Sequence, residues 1–166
     1  MGSSVTFENG LVALLPRLRR FAHALSRSRA DADDLTQVTL ERALRSRDQW
    51  RAGTRLDSWL YRIMRNLWID TARARTRRAK FEAPAEEGEH LGQDPRPAMD
   101  ATLDLRRAMD AMSSLPDEQR EVVALVLVEG FGYRETAEML ELPVGTVASR
   151  LARGRIALLQ MLAEPA

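Results

Sequence analysis

The sequence predicts an all-α fold of two small helical domains joined by a flexible acidic linker. Apolar residues recur at three- and four-residue spacings along most of the chain, as in amphipathic helices, and no segment alternates in the manner of a strand. Residues 81–100 lack this periodicity and collect proline, glycine and acidic residues, which is typical of a linker. The 166 residues suit one ordinary domain or two small ones. We expect domains over residues 8–80 and 101–164.

The first domain is predicted to contain three helices. Residues 10–25 carry an apolar stripe at helical spacing. Asp31 is the expected N-cap of a second helix that ends near Arg47. The Gly53-containing stretch at residues 49–55 predicts a loop, and a third helix is expected over residues 56–78.

The second domain is predicted to be helical throughout and to end in a helix-turn-helix. A helix over residues 101–113 precedes Pro116, which suits the first turn of the next helix, and Gly130 is the expected stop. A short helix over residues 133–140, a three-residue turn and a long helix over residues 144–162 complete the motif.

Composition excludes several classes of protein. The chain has no cysteine, which excludes a disulfide scaffold, a thiolate zinc site and a thiol nucleophile. His23 and His90 are its two histidines, so we expect no histidine-rich metal site. We also expect no cofactor and no catalytic residue. No apolar run approaches the roughly 20 residues that span a bilayer, and residues 1–9 show no export signal. We therefore expect a cytoplasmic protein without membrane insertion.

The charges are arranged in blocks that cancel to a formal net charge of +1. Residues 10–80 hold 17 basic and seven acidic residues, whereas residues 81–100 hold one basic and six acidic. Residues 101–143 hold four basic and nine acidic residues, and residues 144–166 hold three and one. Such asymmetry between segments indicates a nucleic-acid surface, although a set of solvated helix faces is the alternative.

The helix-turn-helix segment at residues 133–155 predicts a DNA-reading surface. Ala137, Val147 and Leu151 are expected to hold its two helices together, which leaves the polar residues Thr146, Ser149, Arg150 and Arg153 pointing away. Arginine pairs bidentately with guanine edges or phosphates, and amides at a helix start bind phosphate. A plain helical hairpin with a charged surface is the alternative.

A second basic segment, residues 56–80, lies beside the three tryptophans of the chain, all within residues 50–68. Aromatic rings stack on unpaired bases while arginines hold the backbone. Trp59 lies on the apolar stripe and is expected to pack in the core. Asn66 either reads a base edge or bridges within its own helix.

A third signal is a negative strip on the second helix: Asp33, Asp34, Gln37 and Glu41. Carboxylates of this kind occur in metal nucleases, but no second ligand set supports one here. Exposed helix acids commonly make ion pairs, and a protein-docking surface is the preferred functional interpretation.

Three segments in order resemble the extracytoplasmic-function (ECF) sigma factors, the small two-domain sigma factors of bacterial RNA polymerase. They read DADDLTQVTLERAL at residues 31–44, WLYRIMRNLWID at 59–70 and LPDEQREVVALVLVEGFGYRETAEMLELPVGTVASRLARGR at 115–155. The resemblance covers nearly the whole chain.

The resemblance implies a promoter-specificity subunit without catalytic activity, a monomer when free, whose partners are core RNA polymerase, promoter DNA and an anti-sigma factor. The negative strip would bind the clamp helices of the largest polymerase subunit, the second domain would reach the flap of the second-largest subunit, and the linker would thread toward the active-site cleft. The implied contacts to the melted −10 element are Trp50, Arg51, Thr54, Arg55, Arg62, Asn66, Arg73 and Arg77. The implied contacts to the −35 element are Arg134, Thr146, Ser149, Arg150, Arg153 and Arg155.

Three other hypotheses remain open on the sequence. A stand-alone helix-turn-helix dimer on duplex DNA leaves residues 31–78 unexplained. A sigma mimic that sequesters an anti-sigma factor needs no basic face at residues 55–80. A carboxylate metal nuclease lacks a second set of ligands.

Overall fold

The computed structural model of the chain describes residues 2–81 and 99–164, and all regular secondary structure in these two ranges is helical. The all-α prediction is confirmed there. Most of the predicted linker, residues 82–98, lies outside the described residues. Residues 2–81 are called the N-terminal half below, and residues 99–164 the C-terminal half.

The N-terminal half contains three long helices. They are α1 (Gly2–Leu25), α2 (Arg29–Arg45) and α3 (Leu56–Phe81), with a short 3-10 helix at Arg47–Gln49 before the loop that leads into α3. Their apolar stripes meet in one core, and its fully buried members include Leu18, Phe21, Leu25, Leu60 and Met64. Packing of these stripes against one another, more than helix propensity, stabilises the three helices in water.

The N-cap of α2 is Ser28, so the prediction of Asp31 was wrong. Ser28 has extended backbone angles, with φ −132° and ψ 158°, and its hydroxyl oxygen accepts a hydrogen bond of 3.1 Å from the N–H of Asp31. Both residue types cap helices well. Ser28 takes the role because capping there lets the helix begin one turn earlier, with Asp31 in the first turn, where the helix dipole favours an acid.

Helix α1 begins at Gly2, well before the predicted start at residue 10. Phe7 is 2% exposed, because its ring lies 5.5 Å from the ring of Trp50 and 6.1 Å from that of Trp59. A contact with residues more than 40 positions along the chain fixes this first part of the helix, so local periodicity gave no sign of it. Trp59 lies half-buried in this cluster, as its place on the apolar stripe predicted.

The C-terminal half continues with α4 (Met99–Ser114), α5 (Asp117–Val123), a π-helical segment (Ala124–Val128), α6 (Tyr133–Leu140) and α7 (Val144–Ala163). The predicted stop at Gly130 is confirmed, since that residue has φ +78° and closes the π-helical segment. Glu141 takes the left-handed conformation, with φ 54°, in the turn between α6 and α7. Helices α6 and α7 form the predicted helix-turn-helix, and its predicted anchors Ala137, Val147 and Leu151 are buried.

Arg120 of α5 ties several segments together. Its guanidinium is buried and donates hydrogen bonds to the carbonyl oxygens of Met112 (2.9 Å), Ser113 (2.6 Å), Leu115 (2.7 Å) and Leu25 (3.0 Å). Burial lowers the pKa of Arg120 from its ordinary value, although the charge of Asp117 acts in the opposite direction. The bond to Leu25 reaches the last residue of α1, so Arg120 joins the C-terminal half to the N-terminal half.

The two halves pack against each other. Helix α1 contacts α4, α5 and the π-helical segment, and α3 contacts α6. This packing brings the first helix of the helix-turn-helix onto the helix that carries the basic segment, and it decides which candidate residues are accessible.

Candidate nucleic-acid interface

Helix α7 presents a polar row on its outer face. Ser149, Arg153 and Arg155 are exposed, and Thr146 is half-buried one turn before Ser149. The Ser149 hydroxyl donates to the carbonyl oxygen of Thr146 at 3.1 Å, and Arg153 donates to the Ser149 hydroxyl at 3.4 Å. Thr146, Ser149 and Arg153 therefore form a row along one face at three- and four-residue spacing, where side chains of a helix are neighbours. Arg155, two residues after Arg153, lies on a different face of the helix.

Arg150 and Arg134 stand apart from this row. The Arg150 side chain is 20% exposed and lies 3.4 Å from a carboxylate oxygen of Glu118 and 3.8 Å from one of Glu121, both on α5. Arg134 is exposed at the start of α6. Arg150 is therefore held against its own half, whereas Arg134 projects from it.

The loop before α3 and the outer face of α3 present most of the other candidates. The exposed side chains there are Arg51, Thr54, Arg55, Arg62, Asn66, Arg73 and Arg77. A turn closes the loop, in which the N–H and hydroxyl of Thr54 both donate to the carbonyl oxygen of Arg51, at 3.1 and 2.6 Å. Gly53 supplies the positive φ, +89°, that this turn requires.

Trp50 differs from the other loop candidates. Its ring is half-buried against Phe7, and its indole N–H is enclosed without a hydrogen-bond partner among the described residues. Tryptophan N–H groups are usually bonded when buried. Trp50 therefore contributes to packing under the loop, and any base contact would use the part of its ring that remains exposed.

Arg55 is held by two acids. It donates to both carboxylate oxygens of Asp57, at 3.1 and 2.8 Å, and to a carboxylate oxygen of Glu135 on α6, while its guanidinium lies 5.2 Å from the ring centre of Phe131. Burial acts to raise the pKa of Asp57, but hydrogen bonds from Arg55 and the Ser58 amide, with the charges of Arg55 and Arg17, hold it below its ordinary value. Asp57 therefore stays ionised and fixes the arginine at the start of α3.

The negative strip on α2 is exposed. Asp33, Asp34, Gln37 and Glu41 all face solvent, and the Gln37 amide donates to Glu41 at 3.4 Å. Within residues 2–81 and 99–164, no group of three or more acids or histidines could hold a metal ion. The strip is thus an acidic surface suited to contact with basic side chains.

Sequence reasoning missed a cluster between the two halves, centred on Glu129. The Glu129 side chain is fully buried and accepts two hydrogen bonds from Arg20 of α1, at 2.9 and 3.0 Å, and one of 2.5 Å from the hydroxyl of Tyr61 of α3. Arg17 lies 3.5 Å from the same carboxylate. A lone acid just before a glycine carries no sequence signal for such a role, since its partners lie 68 and 109 positions away.

In the part of the chain that the structure describes, no helix has the length and apolar character needed to cross a membrane.

Both halves of the chain match known protein families. The sigma-70 region 2 family matches residues 11–78, and the sigma-70 region 4 family matches residues 105–158. The two matches follow each other in chain order and together define an RNA polymerase sigma factor with a region 2 and a region 4.

Comparisons with whole proteins narrow this class. The chain is 36% identical over 150 residues to the ECF RNA polymerase sigma factor EcfG of Rhodopseudomonas palustris, covering 90% of this chain and 81% of that protein. It is 37% identical over 151 residues to the ECF sigma factor SigM of Mycobacterium tuberculosis, covering 88% and 71%. The chain therefore belongs to the ECF sigma factors, the polymerase subunits that direct promoter recognition and transcription initiation.

A solved structure supports the same family. The sigma factor RpoE of Bartonella quintana, determined in complex with the anti-sigma factor NepR, superposes with a TM-score of 0.81 at 31% identity, over 97% of this chain and 99% of that one. The similarity spans both halves of the fold.

Proposed function

We propose that this sigma factor directs core RNA polymerase to promoters whose −10 element is melted by α3 with its preceding loop and whose −35 element is read by α7. The observation that carries the proposal is that exposed arginine and amide or hydroxyl side chains form a row on one helix of each half. The protein acts in the cytoplasm and has no catalytic activity of its own.

Recognition of the −35 element falls to α7, which enters the major groove as the second helix of a helix-turn-helix. Arg153 and Arg155 suit guanine edges or phosphates, and Thr146 and Ser149 suit phosphates or base edges. Arg134, at the start of α6, adds a further contact to the DNA of the −35 element. Arg150 joins this surface when DNA phosphates replace Glu118 and Glu121 as its partners.

Melting of the −10 element follows from differential affinity. The loop and α3 hold unpaired bases and backbone of one strand through Arg51, Thr54, Arg55, Arg62, Asn66, Arg73 and Arg77, with Trp50 beneath the loop. A surface that binds the single strand better than the duplex shifts the equilibrium toward the open state. Two weak DNA-binding sites joined on one polymerase also bind the promoter more tightly together than either does alone, because binding at the first site raises the effective concentration of DNA at the second.

Protein partners are assigned to the remaining surfaces. The acidic strip of α2 binds the clamp helices of the largest polymerase subunit, the C-terminal half binds the flap of the second-largest subunit, and residues 81–100 thread toward the active-site cleft. An anti-sigma factor controls the protein by covering these surfaces. The structures of RpoE with NepR and of CnrH with the cytosolic domain of CnrY support this control by analogy.

Run-off transcription with core polymerase and a promoter library tests the proposal. We expect Arg153→Ala to weaken −35 recognition by about 1–3 kcal/mol, the usual value of one bidentate base contact, and Asn66→Ala to reduce thymine reactivity in the melted −10 region. Arg106→Ala, an exposed arginine on α4, is the matched control. Absence of any promoter-specific transcript would reject the proposal, and tight specific binding of duplex DNA by the chain alone would favour a stand-alone regulator.

A further inference from the structure

A buried acid in the C-terminal half is neutralised entirely by the N-terminal half. The Glu129 carboxylate has no exposed surface, and its three hydrogen-bond donations come from Arg20 of α1 and Tyr61 of α3, with Arg17 nearby. A buried carboxylate is stable where charged donors saturate its oxygens, and removing those donors is strongly unfavourable. Glu129 can therefore be buried only while the two halves are together.

The backbone around Glu129 is shaped for this contact. The π-helical segment Ala124–Val128 places an extra residue in the last turn, and the N–H of Glu129 donates to the carbonyl oxygen of Ala124 at 3.0 Å. Gly130 then ends the helix with a positive φ. π-Helical turns are rare and are frequently found at functional sites. Here the turn sets the direction in which the Glu129 side chain leaves the helix.

A second buried acid joins the two DNA-facing helices. The Glu121 side chain is 3% exposed and accepts hydrogen bonds of 2.9 and 3.4 Å from Arg65 of α3, while a guanidinium nitrogen of Arg150 of α7 lies 3.8 Å away. The carboxylate thus stands between an arginine of the N-terminal half and a candidate −35 contact.

Helix α6 also covers part of the proposed −10 surface. Arg55 donates to the carboxylate of Glu135, and Arg62 donates to the carbonyl oxygen of Glu138 at 3.3 Å. Acidic and carbonyl oxygens of the helix-turn-helix therefore occupy arginines that would otherwise hold DNA phosphates. One arginine cannot serve both partners with the same donors.

We infer that the closed packing of the two halves is a self-inhibited resting state of the free chain, with Glu129 as its latch. In this state Arg55 and Arg62 are bound to oxygens of the C-terminal half, and the halves must separate before both promoter elements can be engaged. The identity of the masked DNA contacts rests on the proposed function. The latch itself is a property of the chain and is measurable without DNA or polymerase.

Fluorescence energy transfer in the full chain tests the latch directly. Because the protein has no cysteine, the substitutions Ala13→Cys on α1 and Gln160→Cys on α7, both exposed positions, provide two dye sites. We expect Glu129→Gln to lower transfer efficiency, since it removes the charge that Arg20 and Tyr61 bind. Glu164→Gln, an exposed change of the same kind at the end of α7, should leave it unchanged.

A second variant guards against simple misfolding. Arg20→Gln acts from the opposite side of the contact at a side chain that is 53% exposed, and it should open the chain with helix content unchanged by circular dichroism. The double variant should open no further than Glu129→Gln alone, because both changes break one contact. Low transfer efficiency in the unsubstituted chain, or unchanged efficiency in both variants, would overturn the latch.

Binding of core polymerase tests the inhibition. In the proposed function, core polymerase holds α2 on its clamp helices and the C-terminal half on its flap at the same time, so the open chain is the binding-competent form. The apparent dissociation constant rises as the open fraction falls, so a closed state favoured roughly tenfold weakens binding roughly tenfold, and Glu129→Gln should recover that factor. An open variant with unchanged core binding would overturn self-inhibition. An open variant with tighter core binding but no promoter-specific transcript would instead reject the proposed function and leave the latch standing.

Discussion

The pKa of the Tyr61 hydroxyl depends on the packing of the two halves against each other. The ring of Tyr61 packs edge-to-face on Phe21 and Phe131, with centroids 4.8 and 5.2 Å away, so it is enclosed by rings from both halves. Burial raises the pKa of its hydroxyl well above the ordinary value, the hydrogen bond and charge of Glu129 raise it further, and Arg17 and Arg20 oppose the shift. Tyr61 therefore keeps its proton in the closed state under conditions where an exposed tyrosine loses it.

This raised pKa predicts alkaline destabilisation. Above the ordinary tyrosine value of about 10, the unfolded chain releases the proton that the folded chain retains, so stability falls as pH rises, by at most about 1.4 kcal/mol per pH unit. Tyr61→Phe should reduce that fall. Urea unfolding of both proteins at several pH values from about 9 to about 11 measures the difference. Equal pH slopes for the two proteins would contradict the enclosed hydroxyl.

Single residues show what the sequence can predict about the site and what it cannot. Arg62, Asn66 and Arg73 lie off the apolar stripe of α3 and are exposed, and the 3.6-residue period of the sequence is enough to predict this. The partners of Arg62 and Arg20 could not be predicted in the same way. They lie 76 and 109 positions away, and only the packing of the two halves brings them together.

At the scale of elements, α7 carries two glycines in very different surroundings. Gly154 lies where α7 crosses α5, and a Cβ atom there would lie 2.7 Å from a methyl carbon of Val123. Gly145, in the first turn of the same helix, has no atom within 4 Å of that position. The first glycine is needed for close packing, whereas the second leaves space for a methyl group.

The two positions therefore predict opposite effects of one substitution. Gly154→Ala should destabilise the protein by about 1–3 kcal/mol, because Val123 is β-branched and cannot swing aside. Gly145→Ala should stabilise it by about 0.5 kcal/mol through helix propensity. Thermal or urea unfolding measures both changes. Destabilisation of similar size at the two positions would show that the contact with α5 is not the cause.

The ends of a helix could be predicted from the sequence where residues at or next to that end determine it. Gly130 and the turn before α7 were identified because glycine and proline end helices by their own backbone preferences. The start of α1 was missed since Phe7 is held by Trp50 and Trp59, and the cap of α2 was misplaced because Ser28 and Asp31 both suit the role. The π-helical segment has no recognisable residue pattern.

At the scale of the whole molecule, the order of the charges has two consequences. The excess of basic residues at positions 10–80 suits nucleic acid, and the excess of acids at positions 101–143 suits the N-terminal half itself. Glu121, Glu129 and Glu135 come from that acidic block, and all three bind arginines of the N-terminal half. The uneven distribution of charge that predicted a DNA-binding surface in the N-terminal half therefore also favours binding of the acidic C-terminal half to that surface.

The exposed and the buried contacts between the two halves should differ in their dependence on salt concentration. The Arg55–Glu135 pair is exposed on both sides, so it contributes little and is screened as the Debye length falls from about 10 Å at 0.1 M to about 3 Å at 1 M. Glu129 is fully buried and its hydrogen bonds are screened much less. The unsubstituted chain should therefore keep its radius of gyration from about 0.05 M to about 0.5 M NaCl. Glu129→Gln lacks the buried charge at this position and relies more on the exposed pairs, so it should expand over that range in small-angle X-ray scattering. Equal expansion of both proteins would mean that screened surface charges, and not the buried acid, hold the halves together.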